Sequence, residues 1–320
     1  MKKCLIDGVA GFVGSHVLKY LIKNTDWEIV CLMRLNNAGD ANRIKDTQGD
    51  PRITYLYHDL KYTINESLRE QIGEVDYILH LAANSHVDRS ITNPKEFFED
   101  NVMGVVNILE FMRLYQPKAR MINFNTDECY GPAPEGYKFK ETDRLKPSNP
   151  YSGSKACQTM AAISYFVTYG LDIINTYTMN IFGPDQNREK LIPKAIYNAK
   201  NRIEMPVFAE LNGDKLVGVG QRHWLHVDNV GEALVFILEN GKYGEDYNIV
   251  GTDELTNEDV VREINSLMGT EPLIKYVDFH KTRKGHDRRY AIDGTKLANL
   301  GWVPKKNFKE GLKEVIEANK

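Results

Sequence analysis

The chain has 320 residues, 42% of them hydrophobic and 27% charged, with a formal net charge of -3. That length fits one large or two modest domains with a sizeable core, and the near-neutral balance excludes the basic footprint of a nucleic-acid binder. No apolar run is long enough to span a bilayer, and Asp7 and the early glycines interrupt the opening MKKCLIDGVAGFVG too soon for a signal peptide. Cys4, Cys31, Cys129 and Cys157 lie too far apart for a zinc knuckle, so no metal is expected. Buried unpaired thiols point to a reducing cytoplasm.

In chain order, KKCLID (2–7) reads as a strand and FVGSHVLKYLIK (12–23) as a helix. Strands follow at 27–33 and 52–58, a helix at 64–72 and a strand at 75–82. One long helix fits 94–115, with Asn93 or Thr92 as its N-cap. A strand at 119–125, a second long helix at 151–170 and a strand at 171–180 come next. This alternation predicts an α/β fold, a Rossmann-type doubly wound parallel sheet. Beyond Gly183 short elements mix with charged loops, which predicts a smaller mixed α/β substrate domain. The expected division is 1–182 and 183–320, with an interleaved border.

Gly8, Gly11 and Gly14 stand three apart between the first strand and the first helix. Glycines there permit a tight turn and close backbone approach, and the helix N-terminus with Phe12 and Val13 offers free N–H groups to a pyrophosphate. The second strand ends at Met33-Arg34, without the carboxylate that usually holds the ribose hydroxyls of NAD. Arg34 is either a partner for the 2′-phosphate of NADP or a solvated surface charge. Asp59, beside Leu60 after the third strand, either reaches an adenine or caps a turn.

Tyr151 and Lys155 are four apart and share a helix face, where an ammonium beside a phenol favours the phenolate. Tyr151 is therefore a candidate general base, and Lys155 a candidate to hold a nicotinamide ribose. Asp127 and Glu128 follow Thr126 at the end of an apolar strand. Neighbouring carboxylates are costly to bury, so they either face solvent on a turn or do acid and base work.

With these motifs the sequence resembles the extended short-chain dehydrogenase/reductase family, and within it the nucleotide-sugar 4,6-dehydratases. The matching stretches are HLAANSHVDRSI (80–91), FFEDNVMGVVNILE (97–110), TDECYG (126–131), NPYSGSKA (149–156), NIFGPDQNREKLIP (180–193), RHWLHVDN (222–229), YNIVG (247–251) and GHDRRYAID (285–293). The resemblance implies that Tyr151 takes the proton of the sugar 4-hydroxyl as hydride leaves C4. Glu128 would then remove the C5 proton and Asp127 protonate the departing 6-hydroxyl, with Thr126 near O4. Hydride returns to C6, giving a 4-keto-6-deoxy sugar and restoring a tightly held, recycled NAD or NADP. The pair needs opposite protonation states. It also needs the strand to have ended, since successive strand residues face opposite ways.

The resemblance further places Leu81, Ala82, Ala83 and Asn84 beside the cofactor and Ser85 at the substrate. It places Asn180, Lys190 and Arg222 near the diphosphate, and Asn248, Arg283 and His286 around the nucleotide. His86, Asp88 and Arg89 read as a structural charge network. The expected partner is a nucleotide-diphosphate hexose of the dTDP- or UDP-glucose type, with no nucleic acid and no membrane. A homodimer is expected through the helices 94–115 and 151–169, where MAAISYFV offers a small and apolar face.

This sequence departs from the family at Asp7 and Val9 (usually Thr and Gly), Met33-Arg34 (Asp-Lys), Asn84 (Glu) and His223 (Asp), and the stretch 206–225 is longer. NAD and NADP both stay open, as does the base. The alternatives on the same fold are a C4-epimerase, which has no need of the Asp127–Glu128 pair, and a UDP-glucuronate decarboxylase, which wants a cationic site for the sugar carboxylate. A non-catalytic sensor or scaffold would tolerate loss of Tyr151, Lys155 or Glu128, all of which are present.

Overall fold

Parallel strands covered on both faces carry apolar residues at consecutive positions rather than alternate ones, and CLI (4–6) and IVCLM (29–33) do so. A computed structural model describes residues 1–35, 39–212, 214–279 and 288–319. Its strands are β1 (Lys3–Asp7), β2 (Glu28–Met33), β3 (Ile53–Tyr57), β4 (Tyr77–His80), β5 (Arg120–Thr126), β6 (Asp172–Thr178) and β7 (Asn180–Phe182). They continue as β8 (Met205–Asn212), β9 (Lys215–Gly218), β10 (Gln221–His226), β11 (Asp246–Ile249), β12 (Asp253–Thr256) and β13 (Ile274–Asp278). The helices used below are α1 (Phe12–Asn24), α2 (Glu66–Ile72), α3 (Val87–Thr92), α4 (Pro94–Phe98), α5 (Gly104–Tyr115), α6 (Pro150–Tyr169), α7 (Leu191–Asn201), α8 (Val227–Asn240) and α9 (Asn257–Met268).

The main sheet has the order β11-β6-β5-β4-β1-β2-β3, and every pair in it is parallel. Strand periodicity sorts its side chains into two layers. Cys4, Ile6, Ile29, Cys31 and Met33 pack with Val17 and Leu21 of α1 and Leu234 and Ile237 of α8. Leu5, Val30 and Leu32 pack on the other face with Ile72 of α2, Ile108 and Met112 of α5 and Ala162 of α6. Each such fully buried aliphatic side chain stabilises the fold by about 1.5–3 kcal/mol of transfer free energy. The doubly wound parallel sheet expected from the β-α alternation is thus the architecture of the protein.

The chain beyond residue 183 does not stay apart from this sheet. Strand β11 adds to its edge beside β6, and α8 covers the α1 layer. The rest, joined by β7 from before that point, forms two small sheets, β12-β10-β7 and β13-β8-β9, around a third core that includes Ile192, Val207, Trp224, Val261 and Leu312. The long stretch 206–225 becomes the antiparallel β8–β9 hairpin followed by β10.

Several elements differ from the sequence pattern. The helix expected over 94–115 is interrupted by a π turn, Glu99–Met103, between α4 and α5. Asn93 is the residue before α4, and its side chain bonds Glu96 rather than the helix backbone. Helix α3, capped by His86, and a 3₁₀ helix over Ala41–Thr47, capped by Asp40, were not expected. Both rest on a side chain accepting a backbone N–H, and neither has the length that makes periodicity visible.

The sheet reverses its winding between β1 and β4, and in such folds the crevice lies there, at the carboxyl ends of the strands. The glycine turn closes against that point. A Cβ on Gly14 would lie 2.2 Å from the Gly8 carbonyl oxygen. Gly14→Ala is therefore expected to lower stability by about 1–3 kcal/mol, read as the urea midpoint. Gly49→Ala, where a Cβ meets nothing within 4 Å, should leave the midpoint unchanged.

Candidate functional site

Asp7 ends β1, and its buried carboxylate joins the two loops of the switch point. Oδ1 accepts the N–H groups of Leu81 (2.7 Å) and Ala82 (2.6 Å), and Oδ2 pairs with His80 Nδ1 (2.6 Å). The next residue, Gly8, has φ of +70°, and a Cβ there would lie 2.8 Å from the Ala82 nitrogen. Gly11 N–H closes the turn on Gly8 O at 2.9 Å. Helix α1 starts without a side-chain cap, so its first N–H groups are left to whatever fills the cleft. This open, positive helix end beneath a glycine turn fits a dinucleotide pyrophosphate.

The cleft encloses about 460 Å³. One end is lined by Gly8, Gly11, Phe12, Val13 and Gly14, with Met33, Arg34, Asp59 and Leu60 beyond them. Its middle is lined by Leu81, Ala82, Ala83, Asn84 and Ser85, and the far end by Thr126, Asp127, Glu128, Tyr151, Lys155, Asn180 and Lys190. The fold thus gathers in one cavity residues that lie as far apart as positions 8 and 190.

Strand β5 ends at Thr126, and Asp127–Tyr130 turn as a 3₁₀ helix. The Thr126 hydroxyl caps this turn, accepting from Glu128 N–H (3.4 Å) while donating to Asp127 Oδ1 (3.1 Å). Leaving the strand geometry is what lets consecutive carboxylates line one cleft. Burial, and then the charge of Glu128, push the Asp127 carboxyl up to about 7. Glu128 is half-buried, its Oε2 receiving Tyr290 OH (3.4 Å) and Asn149 Nδ2 (3.5 Å).

Helix α6 carries Tyr151 and Lys155 into the same cavity, started by a capping box between Asn149 and Ser152. The expected lowering of the phenol by the ammonium is not what the structure shows. Burial, followed by Glu128, holds the Tyr151 phenol well above its usual value, against a hydrogen bond with Thr126. The Lys155 ammonium instead donates to Phe124 O (2.8 Å) and Gln158 Oε1 (2.5 Å). Burial lowers Lys155 to about 8.

Arg34 is not a solvated charge but is held in ion pairs. It donates to Asp59 Oδ2 (2.9 Å) and forks onto Asp100 (3.3 and 3.1 Å). Asp59 also accepts from Lys61 N–H (3.1 Å), so it caps its turn and faces the cleft together. His86 lines the cleft 3.7 Å from Glu189 and caps α3.

Other expected residues lie elsewhere. Asn248 is fully buried behind the site, donating to Phe139 O (3.0 Å) and Asp293 O (3.1 Å). Arg222 stacks on Tyr290 at 4.3 Å and donates to Gln221 O and Arg288 O. Neither lines the cavity, although the field of Arg222 still reaches Asp127. Arg283 and His286 fall outside the described residues. Away from the cleft, His226, Asp228 and Glu314 converge within 4.8 Å, but the Lys306 ammonium already bridges Asp228 (2.6 Å) and Glu314 (2.5 Å).

Sequence reasoning missed Asp100 and Asn101, which the π turn delivers. Asn101 accepts from Asn84 N–H (2.7 Å) and donates to Ser154 Oγ (2.8 Å), tying the cofactor-side loop to α6. The available signal was a polar pair, Asp100-Asn101, breaking an apolar helical stripe. A π turn adds one residue to a helix and re-aims the side chains after it, often at functional sites.

The model of the GDP-mannose 4,6 dehydratase family matches residues 5–315. A probable dTDP-glucose 4,6-dehydratase of Sinorhizobium fredii is 38% identical, the match covering 98% of this chain and 92% of that protein. The dTDP-glucose 4,6-dehydratase of Bacillus anthracis, solved in complex with NAD, superposes with a TM-score of 0.88 at 34% identity, covering 99% of this chain and 96% of that one. DesIV, a dTDP-glucose 4,6-dehydratase of Streptomyces venezuelae solved with NAD bound, gives 0.89 at 33% identity, with 99% and 96% covered. Family match, fold and cleft agree along nearly the whole chain, which therefore belongs to the GDP-mannose 4,6 dehydratase family, the nucleotide-sugar 4,6-dehydratases among the extended short-chain dehydrogenase/reductases.

Proposed function

We propose that the protein converts a nucleotide-diphosphate hexose, of the dTDP- or UDP-glucose type, to its 4-keto-6-deoxy derivative by eliminating water across C5 and C6. The observation that carries this reading is the Asp127–Glu128 turn. Adjacent carboxyls share one cavity with Tyr151 and Lys155, and burial keeps Asp127 protonated near neutrality. A C4-epimerase has no use for such a pair, because it handles no proton at C5 or C6.

Tyr151 receives the proton of the sugar 4-hydroxyl in its phenolate form, which burial disfavours and a cationic nicotinamide ring beside it would favour. When bound, the nicotinamide supplies the reversible hydride exchange that creates the 4-ketone and later reduces C6. The ketone acidifies C5, and Glu128 removes that proton. Asp127 gives its own proton to the 6-hydroxyl, which leaves as water. Glycine turn, α1 N-terminus and the Leu81–Ala83 loop hold the dinucleotide, and Lys155 meets the ribose next to the nicotinamide. Ser85, Asn180 and Lys190 hold the sugar diphosphate, with Lys190 as the cation. NAD is the cofactor in the relatives solved with one.

The partner in solution is a second copy of the chain. Met160, Ile163 and Val167 lie exposed on α6, and Leu114 on the adjoining α5, with Val167 exposed to 73%. A two-fold pairing of these helices would cover that face. Among the described residues no helix is long and apolar enough to cross a membrane. With the free thiols Cys4, Cys31, Cys129 and Cys157, a cytoplasmic enzyme is the reading we adopt.

Incubation with dTDP-, UDP-, CDP- and GDP-hexoses should give a product lighter by one water from one of them, with no net cofactor reduction, by mass spectrometry. Glu128→Gln should lower that turnover by about 10²–10⁴-fold; a change of stereochemistry at constant mass would mean an epimerase instead. The raised Asp127 value carries a stability consequence. The folded state holds this proton more tightly than the unfolded one, so its contribution is full below about pH 4 and is lost as pH rises through about 7. Asp127→Asn should therefore stabilise the protein at pH 8, by about 1–3 kcal/mol, with no gain at pH 4, while abolishing turnover. Denaturant melts at the two pH values test this. Val167→Glu should yield monomers in sedimentation velocity where the parent protein sediments as a dimer.

A further inference from the structure

Dehydration as proposed above leaves the protein out of balance after one turnover. Tyr151 has gained the proton of the 4-hydroxyl, and Asp127 has given its own to the departing water. Glu128 takes a proton from C5 and returns one there when C6 is reduced, so it ends as it began. One proton must therefore pass from the Tyr151 phenol to the Asp127 carboxylate before the next substrate reacts. Asp127 is 3% exposed, so bulk water has little access to it.

Between the two groups stands the Thr126 hydroxyl. It is hydrogen-bonded to the Tyr151 phenol on one side and lies 3.1 Å from Asp127 Oδ1 on the other. Its place follows from the turn. Thr126 is the last residue of β5 and caps the 3₁₀ helix that begins with Asp127, while α6 brings Tyr151 to the same spot. A hydroxyl carries one hydrogen and two acceptor lone pairs. With its hydrogen on Asp127 it accepts from the phenol, and with its hydrogen on Tyr151 it accepts from a protonated Asp127. These two orientations are the two states between which the site must alternate. Lys155 offers no comparable route, because its ammonium donates to Phe124 O and Gln158 Oε1.

We infer that Thr126 is the relay that resets the site, passing the proton gained by Tyr151 on to Asp127 within the protein. The Tyr151 O–H bond breaks as Thr126 Oγ takes that proton, and the Thr126 Oγ–H bond breaks as its own hydrogen goes to Asp127 Oδ1. A phenolate and a carboxylic acid remain, the hydroxyl is regenerated, and no electron or outside reactant is used. The inference rests on the dehydration reading. It goes beyond a contact with O4, since a hydroxyl that only held the sugar would have no part in events after product forms. Neighbouring charge sets the direction. The phenol is held well above its usual value and keeps the proton until a cationic ring stands beside it again and favours the phenolate. The reset therefore follows the return of hydride.

The test is rapid-quench mass spectrometry of the cofactor-loaded protein with dTDP-, UDP-, CDP- and GDP-hexoses, in single turnover with protein in excess and at steady state with sugar in excess. Thr126→Val keeps the shape and removes the hydroxyl. Its steady-state rate should fall at least about tenfold further than its single-turnover rate, so that one equivalent of product forms in a burst. Added imidazole or formate, small enough to carry protons into the cleft, should raise the steady-state rate of this variant and leave its single-turnover rate unchanged. Thr126→Ser, which keeps the hydroxyl, should show no burst. Thr126→Ala is read in the same way as the valine variant if that one does not fold. Equal losses in the two regimes would overturn the relay and leave Thr126 a contact for the sugar alone, as would a steady-state rate that neither buffer raises. If the parent protein removes water from none of the four sugars, the dehydratase reading fails and the relay fails with it.

Discussion

The buried carboxylate of Asp7 is the contact on which the site is assembled. It accepts two backbone N–H groups from the loop after β4 and the ring of His80, and so fastens that loop to the glycine turn after β1. A carboxyl group in a sheet interior is tolerated only when its oxygens are met, and here two backbone N–H groups and the His80 ring meet them. With the loops pinned, Gly8 lies against Ala82 too closely for any side chain, and α1 opens its free N–H groups to the cleft. The topological switch point becomes a fixed floor rather than a flexible gap.

On that floor the chemistry depends on pushing like groups apart in protonation. Asp127 and Glu128 are chemically almost the same, yet Asp127 is buried at the base of a 3₁₀ turn while Glu128 is only half-buried and receives Asn149 and Tyr290. Desolvation raises the first toward neutrality, and the charge of its neighbour adds to it. The cost is borne by the fold, as expected where a site needs a protonated acid. The same burial holds Tyr151 and Lys155 toward their neutral forms, so polarity in this pocket has to be completed by what binds there.

The α1 layer, the glycine turn, Tyr151–Lys155 and the Asp127–Glu128 pair were all legible, because each is written over a few consecutive residues with a recognisable period or spacing. Asp100 and Asn101 were not, since a π turn has no periodic signature of its own and the apolar stripe around it reads as one continuous helix. Arg34 was visible as a residue but not as an interaction. Its partners Asp59 and Asp100 lie 25 and 66 positions away. Lys155 was read against Tyr151, four residues off, whereas its ammonium turns to Phe124 and Gln158.

The amino-acid sequence by itself therefore determined the alternation of strands and helices, the placement of a phosphate-binding turn after the first strand, and the residue types available for acid and base work. These arise from local periodicity, backbone permissiveness and side-chain chemistry. Tertiary structure decided which of those residues meet, how deeply Asp127 is buried, and that Arg34 is neutralised before any ligand arrives. Charge state and pairing depend on desolvation and on neighbours brought in from distant parts of the chain, and no local pattern encodes either.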